Sequence, residues 1–161
     1  QAYSALHSRC HVVNVSSVYE TLPIDKKGNV SDQESYFNMA FHIRSKLSIE
    51  TIKKDLCLGI ESLLNRERQK EKFMPRTIDV DLVLFNSVVI NKDDIILPDP
   101  DLLRYEHALI PISEIAPHYI HPIQGDSLQT LALKFKDSTK IKRINFSFSV
   151  MKTNDCEHVT C

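Results

Sequence analysis

One stretch, residues 76–85, constrains the fold of this chain more than any other, because its polar and apolar side chains alternate. Alternation at every second position is typical of a β-strand with one face against a core. The apolar face comprises Ile78, Val80, Leu82 and Leu84. The opposite face comprises Thr77, Asp79 and Asp81. Two residues of strand separate the Cα atoms of the two aspartates by roughly 7 Å, so we expect both carboxylates on the solvent side.

The pair of aspartates indicates a cation site. Parallel carboxylates at this spacing repel each other unless a cation lies between them. Their oxygens suit Mg²⁺, above all when phosphate groups complete its coordination shell. A charged run, residues 66–72, lies just upstream, and Arg76 follows it. Because arginines bind phosphate groups, this combination indicates phosphoryl transfer. The alternative is an ordinary strand with a solvated acidic face, which a lone Asp-x-Asp pair also fits.

Length and composition fit a single domain over residues 1–161. Of the 161 residues, 42% are hydrophobic and 25% are charged, which is enough for a real core. The net charge of −1 gives no global field that would attract nucleic acid or a membrane. No apolar run is long enough for a bilayer, and none resembles a signal peptide. Four cysteines in a chain of this size favour a reducing compartment, so we expect a cytoplasmic protein. We also expect a monomer.

The periodicity of the rest of the chain predicts an α+β fold. Strands are expected at residues 12–21, 36–44 and 144–150. Helices are expected up to residue 9, from Ser48, over residues 102–109 and after a cap at Asp126 or Ser127. Prolines predict a loop-rich stretch from Pro111 to Pro117 and on to Pro122. Strands with one apolar face, with amphipathic helices between them, predict a mostly antiparallel sheet with helices on one face. Its open face would carry Tyr36, Asn38, Asp79 and Asp81.

Several common nucleotide and metal sites are excluded. The chain has three glycines, and they form neither a P-loop nor a dinucleotide-binding fingerprint. Its seven histidines lack the spacing of a zinc site. Any nucleotide must therefore be held by arginines and a metal rather than by a glycine-rich loop.

Six short segments, taken in order, resemble the 6-hydroxymethyl-7,8-dihydropterin pyrophosphokinase family. They are Ser-Ser-Val-Tyr-Glu-Thr at 16–21, Tyr-Phe-Asn at 36–38, Ile-Glu at 60–61, Arg66-x-Arg68, Pro-Arg-Thr-Ile-Asp-Val-Asp at 75–81 and Ile-Ser-Glu-Ile-Ala-Pro at 112–117. The resemblance covers residues 1–130, and the segment around the two aspartates is its most specific part. It implies a ferredoxin-like α+β fold. It also implies transfer of pyrophosphate from ATP to the hydroxymethyl group of the pterin, with release of AMP, in folate biosynthesis. ATP and a pterin would be the partners.

The resemblance assigns roles by position around the phosphates. Asp79 and Asp81 would bind two Mg²⁺ ions, and Arg66 and Arg76 would contact the phosphates; these four are the candidate catalytic residues. Arg68 would help to close the loop over the nucleotide. Glu61 and the backbone near Leu82 would lie beside the nucleotide. Alternatively, Glu61 is an ordinary acid at a helix end, and Arg68 is one of several solvated charges.

A second set of positions corresponds to the family's pterin pocket. Asn38 would hydrogen-bond the edge of the pterin, and Tyr36 would stack on its ring. The whole set comprises Thr21, Ile24, Tyr36, Asn38, His107 and Asn154.

The chain departs from the family's pattern at four positions. Asp99 stands where the family usually has histidine, and Tyr105 where it usually has arginine. His107 replaces a stacking phenylalanine, and Phe73 replaces a tryptophan. These departures keep two alternatives open: a divergent relative that acts on another substrate, and a catalytically inactive module that binds pterin or nucleotide. The intact pair of aspartates argues against the inactive module.

The family's first strand, with its Gly-Ser-Asn turn, does not precede the first helix of this sequence. Residues 144–151 alternate like a strand and are followed by Lys152-Thr153-Asn154, which is similar to that turn. We therefore expect residues 144–154 to supply the central strand and its turn by circular permutation, between the strands at 36–44 and 76–85. The alternative is a C-terminal edge strand.

Overall fold

The computed structural model describes residues 6, 9–22, 35–64, 78–92 and 94–145. The strands within these ranges are β1 (His11–Val15), β2 (Val18–Thr21), β3 (Tyr36–Asn38), β4 (Phe41–Arg44), β5 (Ile90–Lys92), β6 (Ile95–Leu97) and β7 (Ile141–Ile144). The helices are α1 (Ile49–Thr51), α2 (Leu58–Leu63), α3 (Glu106–Ile115) and α4 (Leu128–Ala132). A π-helical stretch, Ile52–Cys57, joins α1 to α2, and 3₁₀ turns lie at Pro100–Leu102 and Leu133–Phe135. Every strand pair is antiparallel in the described residues, so the predicted α+β class is confirmed.

A bent hairpin replaces the two long strands that were predicted at residues 12–21 and 36–44. Its outer half pairs β1 with β4, and its inner half pairs β2 with β3. At the bend, the N–H of Ser16 donates to the carbonyl of Ala40 at 2.9 Å, and the N–H of Ala40 donates to Ser16 Oγ at 2.8 Å. Because a side-chain oxygen replaces a backbone acceptor here, the regular ladder is interrupted. The prediction of two unbroken strands was therefore wrong.

Strand β7 extends the inner half of this hairpin. The order of the three-stranded sheet is β3-β2-β7, with Val18 opposite Ile144 and Thr21 opposite Ile141. The predicted strand at 144–150 thus begins earlier, and its first residue adjoins β2. Residues 146–154, including Asn154, lie outside the described part of the chain. The circular permutation therefore stays a prediction.

The helix that was predicted from Ser48 is confirmed. Ser48 caps it, because its Oγ accepts the N–H of Thr51 at 3.2 Å. The predicted core residues Ile52, Leu56 and Ile60 are all buried. Leu63, however, is 58% exposed, and Glu61 is only 3% exposed. The π-helical stretch explains this difference, since its wider turns rotate the following residues around the helix axis and bring Glu61 towards the core.

Residues 78–85, the described part of the stretch that was predicted as a strand at 76–85, form no strand in the structure. The predicted alternation holds at its start, where Val80 and Leu82 pack on a core of Leu6, Ile52, Leu56, Cys57 and Ile60. Asp79 and Asp81 are exposed, as predicted. Leu84 instead packs with Val83 on a second core of Leu102, Leu109 and Leu128. The segment thus lies between the two cores, and its apolar side chains pack first on one and then on the other. The strand prediction was wrong for residues 78–85.

Helix α3 occupies part of the stretch that was predicted to be a loop. Pro111 lies inside this helix and is fully buried. A proline here removes one N–H and crowds the preceding turn, and burial of its ring offsets that cost. Composition alone suggested a loop, but the apolar face of residues 109–116 decides the outcome.

The helix that was predicted after Asp126 or Ser127 is confirmed. Of these two candidate caps, Ser127 caps α4, since its Oγ accepts the N–H of Thr130 at 3.2 Å. Where a turn was predicted at residues 91–94, β5 and β6 pair as a hairpin, but Asn91 and Lys92 belong to β5 and not to the turn. Among the helices of the described ranges, none is long and apolar enough to cross a membrane.

A buried histidine organises the loop before α4. His121 is 2% exposed, and its Nδ1 accepts the N–H groups of Ile123 at 3.3 Å and Gln124 at 3.2 Å. Burial lowers the pKa of His121 below its ordinary value. A proton on Nδ1 would also remove both acceptor contacts, each worth about 1 kcal/mol.

We predict that acid destabilises the fold partly through His121. Because its folded pKa lies below the unfolded value of about 6.5, the unfolded state binds more protons, and stability is lost as pH falls below 6.5 through the folded pKa. His121→Asn keeps a side-chain acceptor that does not titrate. Urea unfolding at pH 7.5 and pH 5 should therefore show a smaller loss for this variant than for the wild type. An equal loss in both proteins would contradict this role.

Candidate active site

A buried glutamate positions the backbone between the two aspartates. Glu61 Oε1 accepts the N–H of Val80 at 2.9 Å. Val80 lies between Asp79 and Asp81, so this contact fixes the backbone from which both carboxylate side chains project. The structure therefore brings Glu61 to the acid pair and gives it more than the role of an ordinary acid at a helix end.

A lysine that sequence reasoning missed lies beside the same acids. Lys53 Nζ is 3.8 Å from Asp81 Oδ1, and the two side chains are 30% and 55% exposed. The lysine belongs to the π-helical stretch and is distant from Asp81 in the sequence, so no local pattern could have joined them.

The thiol of Cys57, which is near the acid pair, is unreactive. Burial raises the pKa of Cys57 to about 11; the ammonium of Lys53 opposes the shift, and the carboxylates of Asp81 and Glu61 add to it. A thiol with this pKa stays protonated at neutral pH and is a poor nucleophile. Cys57 therefore serves packing in the first core.

A cavity of about 210 Å³ opens next to the acid pair. Its lining comprises Lys53, Leu82, residues 94–96 and residues 99–101. The predicted nucleotide position Leu82 thus lies on a real cavity. Its described lining carries one ammonium, from Lys53, and the carboxylates of Asp94, Asp99 and Asp101.

Three positions that depart from the family's pattern have local roles here. Asp99 Oδ1 accepts the N–H of Asp101 at 2.8 Å and so caps the 3₁₀ turn at Pro100–Leu102. The rings of Tyr105 and His107 stack on each other, with centroids 5.2 Å apart and an angle of 14° between planes. His107, a predicted pterin contact, therefore lies at the start of α3 with its ring against Tyr105.

Three of the predicted pterin residues form one patch on β2 and β3. Asn38 Nδ2 donates to Thr21 Oγ1 at 2.9 Å, and Thr21 lies opposite Tyr36 in the strand register. Thr21 is 8% exposed and Tyr36 is 52% exposed. In the described residues, the contacts of the Asn38 amide use its nitrogen, which leaves its Oδ1 available to accept from a ligand.

Glu114 is a further residue of functional interest to which the sequence assigned no role. Its carboxylate accepts the N–H of Ser17 at 2.9 Å, Ser17 Oγ at 2.7 Å and Tyr19 Oη at 3.1 Å. Arg143 of β7 lies 3.4 Å from the same carboxylate. Burial, and next the charge of Glu114, raise the pKa of Tyr19. Glu114 thus fastens α3, which begins beside His107, to the strands of the Thr21–Asn38 patch.

The remaining predicted residues cannot be placed. Ile24, Arg66, Arg68, Arg76 and Asn154 lie outside the described ranges, so their roles stay predictions. Within those ranges, no group of three or more histidine, cysteine, aspartate or glutamate side chains could hold a metal. A metal at Asp79 and Asp81 would therefore draw its other ligands from elsewhere, as Mg²⁺ does when it binds with phosphates.

Comparison with known proteins identifies relatives across most of the chain. The Bacillus subtilis 2-amino-4-hydroxy-6-hydroxymethyldihydropteridine pyrophosphokinase is 36% identical over 118 residues, which are 71% of this chain and 66% of that protein. The Dictyostelium discoideum folic acid synthesis protein FOL1 is 28% identical over 145 residues, 89% of this chain but 21% of that protein. The Pneumocystis carinii folic acid synthesis protein fol1 is 31% identical over 150 residues, 88% of this chain but 20% of that protein.

This chain thus spans about a fifth of the length of the two folic acid synthesis proteins. The family model of 7,8-dihydro-6-hydroxymethylpterin-pyrophosphokinase matches residues 1–117, which include the acid pair, Glu61 and the Thr21–Asn38 patch. The chain therefore belongs to the 7,8-dihydro-6-hydroxymethylpterin-pyrophosphokinase family.

Proposed function

We propose that this chain transfers pyrophosphate from ATP to the hydroxymethyl group of 6-hydroxymethyl-7,8-dihydropterin and releases AMP, as a step of folate biosynthesis. The observation that carries the proposal is the exposed pair Asp79 and Asp81, held by the contact of Glu61 with Val80 beside a cavity. Family membership and the names of the relatives support the choice of substrates.

The residues at the acid pair fit magnesium. Asp79 and Asp81 offer hard carboxylate oxygens on the exposed side of a segment that is anchored from behind. Mg²⁺ is commonly bound through one or two carboxylates, with substrate phosphates and water completing its shell. When bound, two Mg²⁺ ions would neutralise phosphate charge during the transfer.

The transfer itself demands little covalent chemistry from the chain. The oxygen of the pterin hydroxymethyl group bonds to the β-phosphorus of ATP, and the bond from that phosphorus to the α–β bridging oxygen breaks. AMP leaves with the bridging oxygen, and the hydroxyl proton passes to solvent. Positioning and charge neutralisation are therefore the main tasks, and Arg66, Arg68 and Arg76 would share them at the phosphates.

The two substrates contact different residues in this proposal, with the hydroxymethyl group of the pterin next to the β-phosphate of ATP. The nucleotide lies in the cavity lined by Lys53 and Leu82, next to the acid pair. The pterin lies at the Thr21–Asn38 patch, where Asn38 Oδ1 accepts from the pterin edge and the exposed ring of Tyr36 stacks on it. Ile24, His107 and Asn154 complete this pocket.

The finer architecture belongs to the same proposal. The antiparallel strands and the helices are compatible with a ferredoxin-like sheet, in which residues 144–154 supply the central strand by permutation. The chain acts as a monomeric domain in the cytoplasm, without a nucleic-acid partner.

A divergent relative that acts on another hydroxyl substrate is the second candidate. The stack of Tyr105 on His107 and the turn capped by Asp99 favour it, because these side chains already have local partners. The purified chain with Mg-ATP should form AMP when 6-hydroxymethyl-7,8-dihydropterin is added, and none without it. AMP formation with a different pterin, but not with this one, would favour the second candidate.

We predict that Asn38→Ala raises the KM for the pterin about fivefold to tenfold, which corresponds to the loss of one hydrogen bond of about 1 kcal/mol. The KM for ATP should stay within twofold, because Asn38 contacts the pterin and not the nucleotide in this proposal. Phe37→Ala is the matched control, since the Phe37 side chain is next to Asn38 and 67% exposed. A larger effect on the KM for ATP than on that for the pterin would contradict the assignment.

A further inference from the structure

Lys53 connects the acid pair to the cavity. Its Nζ lies 3.8 Å from Asp81 Oδ1, and the same side chain lines the cavity of about 210 Å³. That distance is longer than a hydrogen bond, so the ammonium is near the carboxylate without being locked to it. Its flexible four-carbon stem allows the ammonium to reach either side.

The charges around Lys53 set up a competition. An ammonium and a divalent cation both seek the carboxylate of Asp81, and they repel each other at that distance. Asp81 is 55% exposed, and exposed ion pairs are weak, so a divalent cation can displace the lysine at a modest cost. The displaced ammonium has a new partner as soon as an anionic ligand enters the cavity.

The charges that line the cavity favour a position in which the Lys53 ammonium contacts a bound anion. Its described lining carries the carboxylates of Asp94, Asp99 and Asp101 against the single ammonium of Lys53. A nucleotide would therefore direct its phosphates towards Lys53, whose ammonium lies 3.8 Å from Asp81 Oδ1.

We propose that Lys53 is an exchangeable counter-ion of Asp81. It competes with a divalent cation when the nucleotide is absent, and it turns to the phosphates when the nucleotide is present. Metal binding thereby becomes coupled to nucleotide binding. This inference rests on the proposed function, because it takes Asp81 as a metal ligand.

The test is Mn²⁺ binding to the folded chain, measured from the electron paramagnetic resonance signal of free Mn²⁺. Lys53→Met removes the charge and keeps a long apolar stem, and Lys54→Met removes the same charge from the next, exposed position. Without nucleotide, Lys53→Met should bind Mn²⁺ about twofold to fivefold tighter than the wild type, and Lys54→Met should not. Adding a non-transferable ATP analogue that has an α,β-methylene bridge should raise the Mn²⁺ affinity of both proteins. This rise should be smaller for Lys53→Met than for the wild type, because the variant has no lysine at this position to move away from Asp81.

Two outcomes would overturn the inference, and Asp81→Asn separates them. If Asp81→Asn loses Mn²⁺ binding but Lys53→Met and Lys54→Met both match the wild type, the counter-ion role fails and the proposed function stands. If Asp81→Asn binds Mn²⁺ as the wild type does, Asp81 is not the metal ligand, and both ideas fail. Thermal unfolding of each variant, followed by circular dichroism, confirms that the protein measured is folded.

Discussion

Asp81→Asn will lower the rate of AMP formation by at least about a hundredfold at saturating ATP, while the domain stays folded. The substitution keeps the shape of the side chain and removes the charge that a divalent cation needs. Asp81 is 55% exposed, so the loss of its carboxylate leaves the two cores intact. Asp79→Asn should lower the rate by a similar factor, because Asp79 and Asp81 project from the same segment, which Glu61 anchors at Val80.

Asp55→Asn is the matched control for this loss. Asp55 is an exposed acid of the π-helical stretch, and its removal changes the net charge by the same amount. Initial rates at several Mg²⁺ concentrations, with circular dichroism of each variant, measure the effect. A rate and Mg²⁺ dependence of Asp81→Asn equal to those of Asp55→Asn would contradict the metal role.

Glu61→Ala will damage both the stability and the activity of the chain. It leaves the half-buried N–H of Val80 without its acceptor, which costs about 1–3 kcal/mol of unfolding free energy. The backbone between Asp79 and Asp81 also loses its anchor, so we expect the rate to fall by about tenfold to a hundredfold, because small displacements of positioning groups are costly.

Glu61→Gln separates positioning from charge. The glutamine carbonyl oxygen can still accept the N–H of Val80, so this variant should recover most of the stability and the rate that Glu61→Ala loses. Urea unfolding and steady-state kinetics measure the two effects. If Glu61→Gln were as impaired as Glu61→Ala, the hydrogen bond to Val80 would not explain the role of Glu61.

Features that depend on neighbouring residues were predictable from the sequence. The capping serine Ser48 lies three residues before the N–H group that it accepts, so the pattern alone locates this helix start. For α4 the pattern left Asp126 and Ser127 as candidate caps, and the structure shows that Ser127 is the cap. The outward direction of Asp79 and Asp81 also followed from alternation. The Thr21–Asn38 patch was predicted from the resemblance, and the strand register explains it.

Features that depend on distant contacts were not predictable in this way. The side-chain bond of Ser16 to Ala40 breaks two strands that look continuous in the sequence. The π-helical stretch rotates Glu61 inwards, and nothing in the apolar spacing signals it. Lys53 lies near Asp81, and Glu114 accepts from Ser17, although each pair is distant in the sequence. Their roles are therefore visible only in the three-dimensional structure.

The fate of each phosphate of ATP tests the central proposal most directly. ATP radiolabelled at its β-phosphorus is incubated with the folded chain, Mg²⁺ and 6-hydroxymethyl-7,8-dihydropterin, and the products are separated by chromatography. Our account predicts that the label moves to the pterin product while unlabelled AMP forms in equal amount. Label recovered in ADP or pyrophosphate, or kept in ATP by folded chain that binds both substrates, would contradict it.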